Sequence, residues 1–145
     1  MGRTILLEIP PRSDYLALVR RVVATAASVG EVLPDRRIDD LSLAVSEGCA
    51  NAIDAQRAAG SLDPIGVLIE LRGDRVVVTI TDHAGGFAPA AVSPLPAADD
   101  PGRLRQERGL GIPLMRGLAE AVAFTPTADG TAVRLEVTAA AHRGP

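Results

Sequence analysis

The chain has 145 residues, of which 47% are hydrophobic and 23% are charged, and its formal net charge is -3. This length and composition suit one globular domain with one apolar core and leave little material for a second domain. A weakly acidic chain with 2% aromatic residues lacks the basic, aromatic surface that nucleic-acid binding uses, so we expect no direct nucleic-acid partner.

Several classes of site are excluded by residues that are missing or rare. All 15 basic residues are arginine, which excludes a P-loop lysine, a protein-kinase strand lysine and Schiff-base chemistry. Cys49 is the only cysteine, so it cannot form an internal disulfide, and with two distant histidines it predicts no transition-metal site. There is no apolar run of membrane-spanning length and no signal-peptide pattern, so we expect a cytoplasmic protein without a membrane partner.

Hydrophobic periodicity predicts both helices and strands. The order of elements is not the strict strand–helix alternation of a doubly wound parallel sheet. We therefore predict an α+β two-layer sandwich, in which helices cover one face of a mixed, mainly antiparallel sheet. The predicted elements are an edge strand at 4–9, helices at 15–29 and from 35 to about 60, a hairpin of strands at 65–71 and 76–81, a helix at 112–121, and strands at 121–124 and 132–138.

Two connections have their own signals. Gly73 and Asp74 lie between the hairpin strands, where such a pair favours a two-residue turn with positive φ. Residues 88–108 are rich in proline and show no periodicity. A loop of about 20 residues inside a compact domain is usually functional or disordered, so this segment is a candidate lid.

Glu47 and Asn51 are four residues apart on the second predicted helix, so their side chains lie on one face about one turn from each other. A carboxylate and an amide oxygen that converge in this way suit a hard cation with phosphate oxygens, and the carboxylate could also act as a base. A solvated helix face would carry the same pair.

Asp82 directly follows the most hydrophobic predicted strand and precedes a Gly-rich stretch that ends at Phe87. An acid at a strand end beside glycines lies where backbone can approach a ligand closely, although an ordinary Asp-initiated turn has the same pattern. His83 is interpreted as an exposed loop residue and not as a base or ligand.

A second Gly-rich turn runs from Glu107 to Ile112, and the predicted helix at 112–121 begins where this turn ends. Backbone amides of such a turn and of a helix N-terminus can bind phosphate, and Arg108 adds a cation. A hinge without a ligand is the alternative interpretation.

In this order, the motifs resemble the Bergerat (histidine-kinase-like, GHKL) ATP-binding fold, and most of all its small single-domain branch, the anti-sigma factor serine kinases. Residues 43–53 are similar to the first box of that fold, 82–87 to the second and 107–111 to the third. Residues 130–131 are similar to its late strand. The resemblance covers nearly the whole chain, and it implies one ATPase domain over residues 1–145 with a flexible ATP lid at about 88–108.

The resemblance also implies a role for each matching residue. Glu47 would be the catalytic base, and Asn51 would hold Mg²⁺. The other implied nucleotide contacts are Asp82 to the adenine amino group, Gly86 against the ring, Arg108, Gly109 and Gly111 to the phosphates, and Thr131 in support of adenine binding.

The implied protein is an anti-sigma factor with serine kinase activity. It would bind Mg-ATP, sequester an RNA polymerase sigma factor and phosphorylate a serine of an anti-anti-sigma, STAS-type antagonist, and it would be a homodimer. Ala55 and Ala84 depart from the family pattern, which commonly has His and Gly there. These departures motivate an alternative, a protein-binding anti-sigma module without kinase activity. A detached histidine-kinase catalytic domain is a third interpretation.

Overall fold

The structure, a computed structural model, describes residues 2–85 and 111–140. This part of the chain contains five β-strands, which form one sheet, and three α-helices. The elements are β1 (Arg3–Ile9), a 3-10 turn (Ser13–Tyr15), α1 (Leu16–Gly30), α2 (Asp35–Ala59), β2 (Ile65–Leu71), β3 (Arg75–Asp82), α3 (Gly111–Leu118), β4 (Ala121–Pro126) and β5 (Thr131–Thr138).

The strand order is β1-β2-β3-β5-β4, and all four pairings are antiparallel. Along β2 and β5, buried side chains alternate with half-buried ones, as expected when one face of a sheet is covered. The covered face packs against α1 and α2. The predicted two-layer α+β architecture is therefore confirmed, with β1 at one edge, where Pro10 follows it.

One detail of the β2–β3 hairpin differs from the prediction. The turn is closed by a hydrogen bond in which the N–H of Arg72 donates to the carbonyl oxygen of Arg75 at 2.9 Å. Neither Gly73 nor Asp74 has a positive φ. The predicted left-handed turn is wrong, because ordinary turn conformations with negative φ can also join two strands and are open to most residues.

The core is aliphatic, as the low aromatic content requires. α2 contributes more buried residues than α1 and runs across the sheet beneath β3. No helix in the two described ranges is both long enough and apolar enough to cross a membrane. Fully buried core residues include Val19, Val23, Leu41, Val45, Ile65, Val67, Ile69, Val76, Val78 and Leu135.

A buried arginine joins the first turn of α2 to the far end of α3. Arg37 is 1% exposed, and its guanidinium donates to the carboxylates of Asp40 and Glu120. It also donates to the carbonyl oxygens of Leu118, the last residue of α3, and Thr138. A buried charge is tolerated only when it is paired and hydrogen-bonded, and these acceptors meet that condition. Arg37 thereby holds the C-terminal end of α3 in place.

The residue that follows α1 has a left-handed backbone conformation. Glu31 has φ 54°, the only positive φ of a non-glycine residue among those the structure describes. This conformation costs an L-residue roughly 1–2 kcal/mol, and a glycine there loses about 0.5–1 kcal/mol through its greater freedom in the unfolded chain. We expect Glu31→Gly to raise the free energy of unfolding by about 0.5–1 kcal/mol in urea denaturation.

Glu31→Ala is the matched control, because it removes the same side chain but keeps the Cβ atom that makes positive φ costly. We expect no gain from it. Equal changes in the two variants would show that the side chain, and not the backbone conformation, determines the effect.

Candidate functional site

The candidate site lies at the end of β3, on the side of the sheet that α2 covers. A Cβ atom on Gly48 of α2 would lie 2.5 Å from Cδ1 of Ile80 and 3.4 Å from Sδ of Met115. Glycine therefore allows α2 to pack closely on both β3 and α3. Asp82 is two residues after Ile80, so it lies on the same covered face at the strand end.

The Asp82 carboxylate is buried, with 7% of the residue exposed. Its Oδ1 atom accepts hydrogen bonds from the backbone N–H groups of Ala84 at 3.1 Å and Thr131 at 3.3 Å. These two donors come from the loop after β3 and from the first residue of β5, so they fix the carboxylate from two sides. A carboxylate held through one oxygen can present the other oxygen to a hydrogen-bond donor.

Gly130, in the turn before β5, packs directly on Asp82. A Cβ atom at this position would lie 1.9 Å from the Asp82 carbonyl oxygen and 2.8 Å from its Oδ1. Only glycine permits this approach, and its φ is not positive, so the reason is contact and not backbone conformation.

The segment after Asp82 has contacts on two sides. The N–H of His83 donates to Oε1 of Gln56 at 2.8 Å, and its Nδ1 lies 2.9 Å from Oδ2 of Asp129. The N–H of Gly85 donates to the Asp129 carbonyl oxygen at 2.8 Å. His83 lies in a loop, as predicted, but it is half-buried and not fully exposed, and its ring pairs with Asp129 in the turn before β5.

The departure from the family pattern at Ala84 has a structural explanation. In this segment the positive φ, 88°, belongs to Gly85, and Ala84 has a negative φ. Ala84 also supplies its N–H to Asp82, which any residue other than proline can do. Alanine therefore keeps the local geometry here.

Glu47 and Asn51 lie one turn apart on α2, and both are half-buried. The first residue of α3, Gly111, lies against the Asn51 amide, and a Cβ there would be 3.2 Å from both Nδ2 and Oδ1. The structure therefore brings Asn51 together with the N-terminus of α3. A helix N-terminus beside an amide oxygen and a carboxylate is a suitable place for phosphate groups and a cation.

In the described structure, Asp82 lies with Thr131 at the end of β3, and Asn51 lies with Gly111 between α2 and α3, one helical turn from Glu47. Gly86, Arg108, Gly109 and the predicted lid at 88–108 lie outside the described residues.

The donor set around Asn51 fits magnesium bound together with a nucleotide. No group of three or more His, Cys, Asp or Glu side chains in the described ranges could hold a metal ion by itself. Mg²⁺ commonly takes only one or two protein ligands and completes its octahedron with water and phosphate oxygens, so one amide oxygen suffices. Cys49 contributes nothing here, because burial raises the pKa of its thiol to about 12.

Sequence reasoning missed Gln56. This residue is fully buried, and it connects α2 to the chain just before β2 and just after β3. A signal was available, because Gln56 follows Ala52 and Ile53 by four and three residues and so belongs to the apolar face of the helix. A polar residue on such a face needs a hydrogen-bond partner inside the protein.

Comparison with known proteins gives consistent matches. The profile of the family described as "Histidine kinase-like ATPase domain" matches residues 9–137. The serine-protein kinase RsbW of Bacillus pumilus is 30% identical over 125 residues, which cover 81% of this chain and 75% of that protein. The RsbW proteins of Halalkalibacterium halodurans and Bacillus velezensis are each 31% identical, over 85 residues (58% of this chain, 50% of the relative) and 84 residues (57% and 51%). The chain thus spans about half the length of two of these relatives and three quarters of the third.

Proposed function

Since this chain belongs to the histidine kinase-like ATPase domain family, in its anti-sigma factor serine-protein kinase branch, we propose that it binds ATP with magnesium and transfers phosphate to a serine. The acceptor in this proposal is a STAS-type anti-anti-sigma antagonist, and the sequestered partner is an RNA polymerase sigma factor. The matched relatives are all serine-protein kinases, which supports the kinase part.

The observation that carries the nucleotide part is the buried carboxylate of Asp82. Its Oδ1 is held by two backbone donors, so Oδ2 would accept the 6-amino group of adenine. An ionised carboxylate only accepts hydrogen bonds, which favours a base that presents a donor at this position. Thr131 takes part through its backbone N–H, and Gly130 keeps the turn close to Asp82.

The phosphate groups would lie between α2 and α3. The N-terminus of α3, which begins at Gly111, would bind phosphate oxygens through backbone amides. Asn51 would hold magnesium, which when bound offsets the negative charge of the phosphates. Gly86, Arg108 and Gly109 belong to this proposal by resemblance.

Glu47 would act on the acceptor serine. Its carboxylate would orient the hydroxyl and take its proton as the serine oxygen bonds to the γ-phosphorus, while the bond from that phosphorus to the β-phosphate bridging oxygen breaks and ADP leaves. Glu47 lies one turn from Asn51, so a group on Glu47 and a phosphate near Asn51 would meet. The lid at 88–108 and a homodimer complete the proposal as predictions.

The kinase proposal predicts a separation of chemistry from binding. Glu47→Gln should lower the rate of phosphate transfer from radiolabelled ATP to purified STAS-type proteins by about 100-fold or more, the usual effect of losing a general base. The affinity for ATP should change less than about threefold, because the glutamine amide has the same shape as the Glu47 carboxylate and lies away from Asp82, which would bind adenine.

Glu8→Gln, on exposed β1, is the control for the change of charge and should transfer phosphate normally. An unchanged rate in Glu47→Gln would refute the assigned role. The phosphoprotein should be stable to acid, since an acid-labile product would instead indicate transfer to histidine.

The alternative function is a protein-binding module without phosphate transfer. It is favoured by Ala55, which is exposed on the last turns of α2 and places no polar side chain where the family commonly has His. Capture of a sigma factor equally by the unchanged protein and by Asn51→Ala, together with no phosphate transfer by either, would favour this module.

A further inference from the structure

The β2–β3 ladder stops where the candidate nucleotide site begins. The last paired residues are Gly66 and Thr81, and the same register continued would place His83 opposite Pro64. Proline has no N–H group, so it cannot donate in a ladder. β3 continues to Asp82 with a partner on one side only, because Asp82 still pairs with Thr131 of β5.

The side chain of Gln56 occupies the place of the missing ladder contacts. Its Oε1 accepts from the N–H of His83 at 2.8 Å, and its Nε2 donates to the carbonyl oxygen of Asp63 at 2.7 Å. One side-chain amide thus bonds both to the segment before β2 and to the segment after β3, as a backbone peptide group would. Gln56 is 0% exposed, so water cannot substitute for it at either contact.

We propose that Gln56 is a positioning residue that sets the selectivity of the site for adenine, acting through the main chain of His83 on the carboxylate of Asp82. This proposal rests on the proposed function in ATP binding. In this proposal Gln56 does not contact the nucleotide, and it determines where the residues that would do so are held.

The connection runs through three consecutive residues. Gln56 fixes the N–H of His83, and the next N–H, that of Ala84, donates to Oδ1 of Asp82. When the Gln56 contact is lost, the chain at 83–84 can move away from α2, and the carboxylate loses one of its two donors. Asp82 can then rotate, so Oδ2 is no longer held where it meets an amino group on the base.

The same segment keeps its contacts on the other side. Asp129 still accepts from Gly85 and pairs with His83, so the loop stays near the turn before β5. A loss at Gln56 should therefore loosen the orientation of Asp82 without removing the carboxylate. The selectivity between nucleobases should therefore change more than the part of the binding free energy that the phosphate groups supply.

The experiment compares ATP with inosine triphosphate, which lacks the 6-amino group, by titration calorimetry. Gln56→Met has nearly the same shape but no amide, and we expect it to raise the Kd for ATP about tenfold, corresponding to the loss of roughly one well-placed hydrogen bond. The Kd for inosine triphosphate should change less than about twofold. Arg57→Met, an exposed neighbour on the same helix, should change neither Kd.

A double-mutant cycle tests the path of the effect. If Gln56 acts through Asp82, then Gln56→Met should add less than about twofold to the Kd of Asp82→Asn. Equal weakening of ATP and inosine triphosphate by Gln56→Met, or independent effects of the two substitutions, would overturn the proposal, because a general structural role predicts those results.

Two further measurements test the proposal if Gln56→Met does not fold. Gln56→Glu keeps the acceptor for the N–H of His83, so in the same titrations it should keep the ratio of the two Kd values close to that of the unchanged protein, and a loss of the preference for ATP would count against the proposal. In the unchanged protein, the His83 amide should exchange with solvent at least about tenfold more slowly than an unprotected amide, and exchange at the unprotected rate would overturn the proposal. An unchanged protein that binds no ATP would overturn the proposed function as well, whereas ATP binding that Gln56→Met leaves intact would overturn this inference alone.

Discussion

Replacing Asp82 with asparagine should weaken ATP binding by about 100-fold or more. Asparagine can keep the acceptor oxygen for the N–H groups of Ala84 and Thr131, so the local structure should survive. The second oxygen, however, becomes an amide nitrogen, and this donor would face the donor on adenine. The site would lose a charge-assisted hydrogen bond, and the new asparagine N–H group would oppose the amino group of adenine.

Thermal unfolding with and without ATP and magnesium measures this effect. ATP at about 100 times its Kd should stabilise the unchanged protein by roughly 2.7 kcal/mol, which raises Tm by several degrees. In Asp82→Asn the stabilisation at the same ATP concentration should fall to about 0.4 kcal/mol or less, while Tm without nucleotide changes little.

Asp63→Asn is the matched control, because it removes the same charge from an exposed residue near the site. Its contact with Gln56 uses the backbone carbonyl, which the substitution leaves in place. An equal ATP-dependent rise in Tm for Asp82→Asn and the unchanged protein would contradict the assigned role of Asp82.

Gly130→Ala should be the most damaging substitution of a single hydrogen by a methyl group in this site. The added Cβ would lie 1.9 Å from the Asp82 carbonyl oxygen and 2.7 Å from its carbonyl carbon, and neither backbone atom can rotate away as a side chain can. We expect a loss of about 3 kcal/mol or more in the free energy of unfolding and a Tm lower by roughly 10 °C. The ATP-dependent rise in Tm should disappear too, because the turn must move away from Asp82.

Gly66→Ala, in β2, provides the comparison. A Cβ atom there would meet only Cβ of Thr81, at an ordinary distance of 4.0 Å. We expect its stability to stay within about 1 kcal/mol of the unchanged protein. Similar losses in the two variants would show that the close packing of the turn on Asp82 is not what requires glycine at 130.

The sequence predicted much of the fold because the relevant signals are local. Apolar spacing of three and four located α1 and α2, and Gly60 ends α2 with φ 71° as a C-terminal glycine should. β-branched runs located the β2–β3 hairpin, although the conformation of its turn was predicted wrongly. Such patterns depend on the geometry of one helix or strand, so they can be read without knowing what the element packs against.

The order of the motifs, also a property of the sequence alone, indicated the family, and the matched profile and relatives confirm it. Glu47 with Asn51 could be predicted as a pair because four residues on a helix are neighbours in space. Asp82 could be predicted as a candidate because it follows a strand beside glycines.

Only the tertiary structure decided what surrounds these residues. Gln56 meets His83 and Asp63 because α2 crosses the sheet where β2 and β3 diverge. Gly111 lies against Asn51 because α3 packs beside α2. The C-terminal end of α3 is held by Arg37.

The site at Asp82 shows the same division. Gly130 has no room for a side chain because it lies against Asp82, 48 positions away in the sequence, and this approach follows from the pairing of β3 with β5. The chemistry of each side chain and the periodicity of each element are written locally in the sequence. Register, crossing and close approach between distant segments are set by how the whole core packs, so they become visible only in the folded chain.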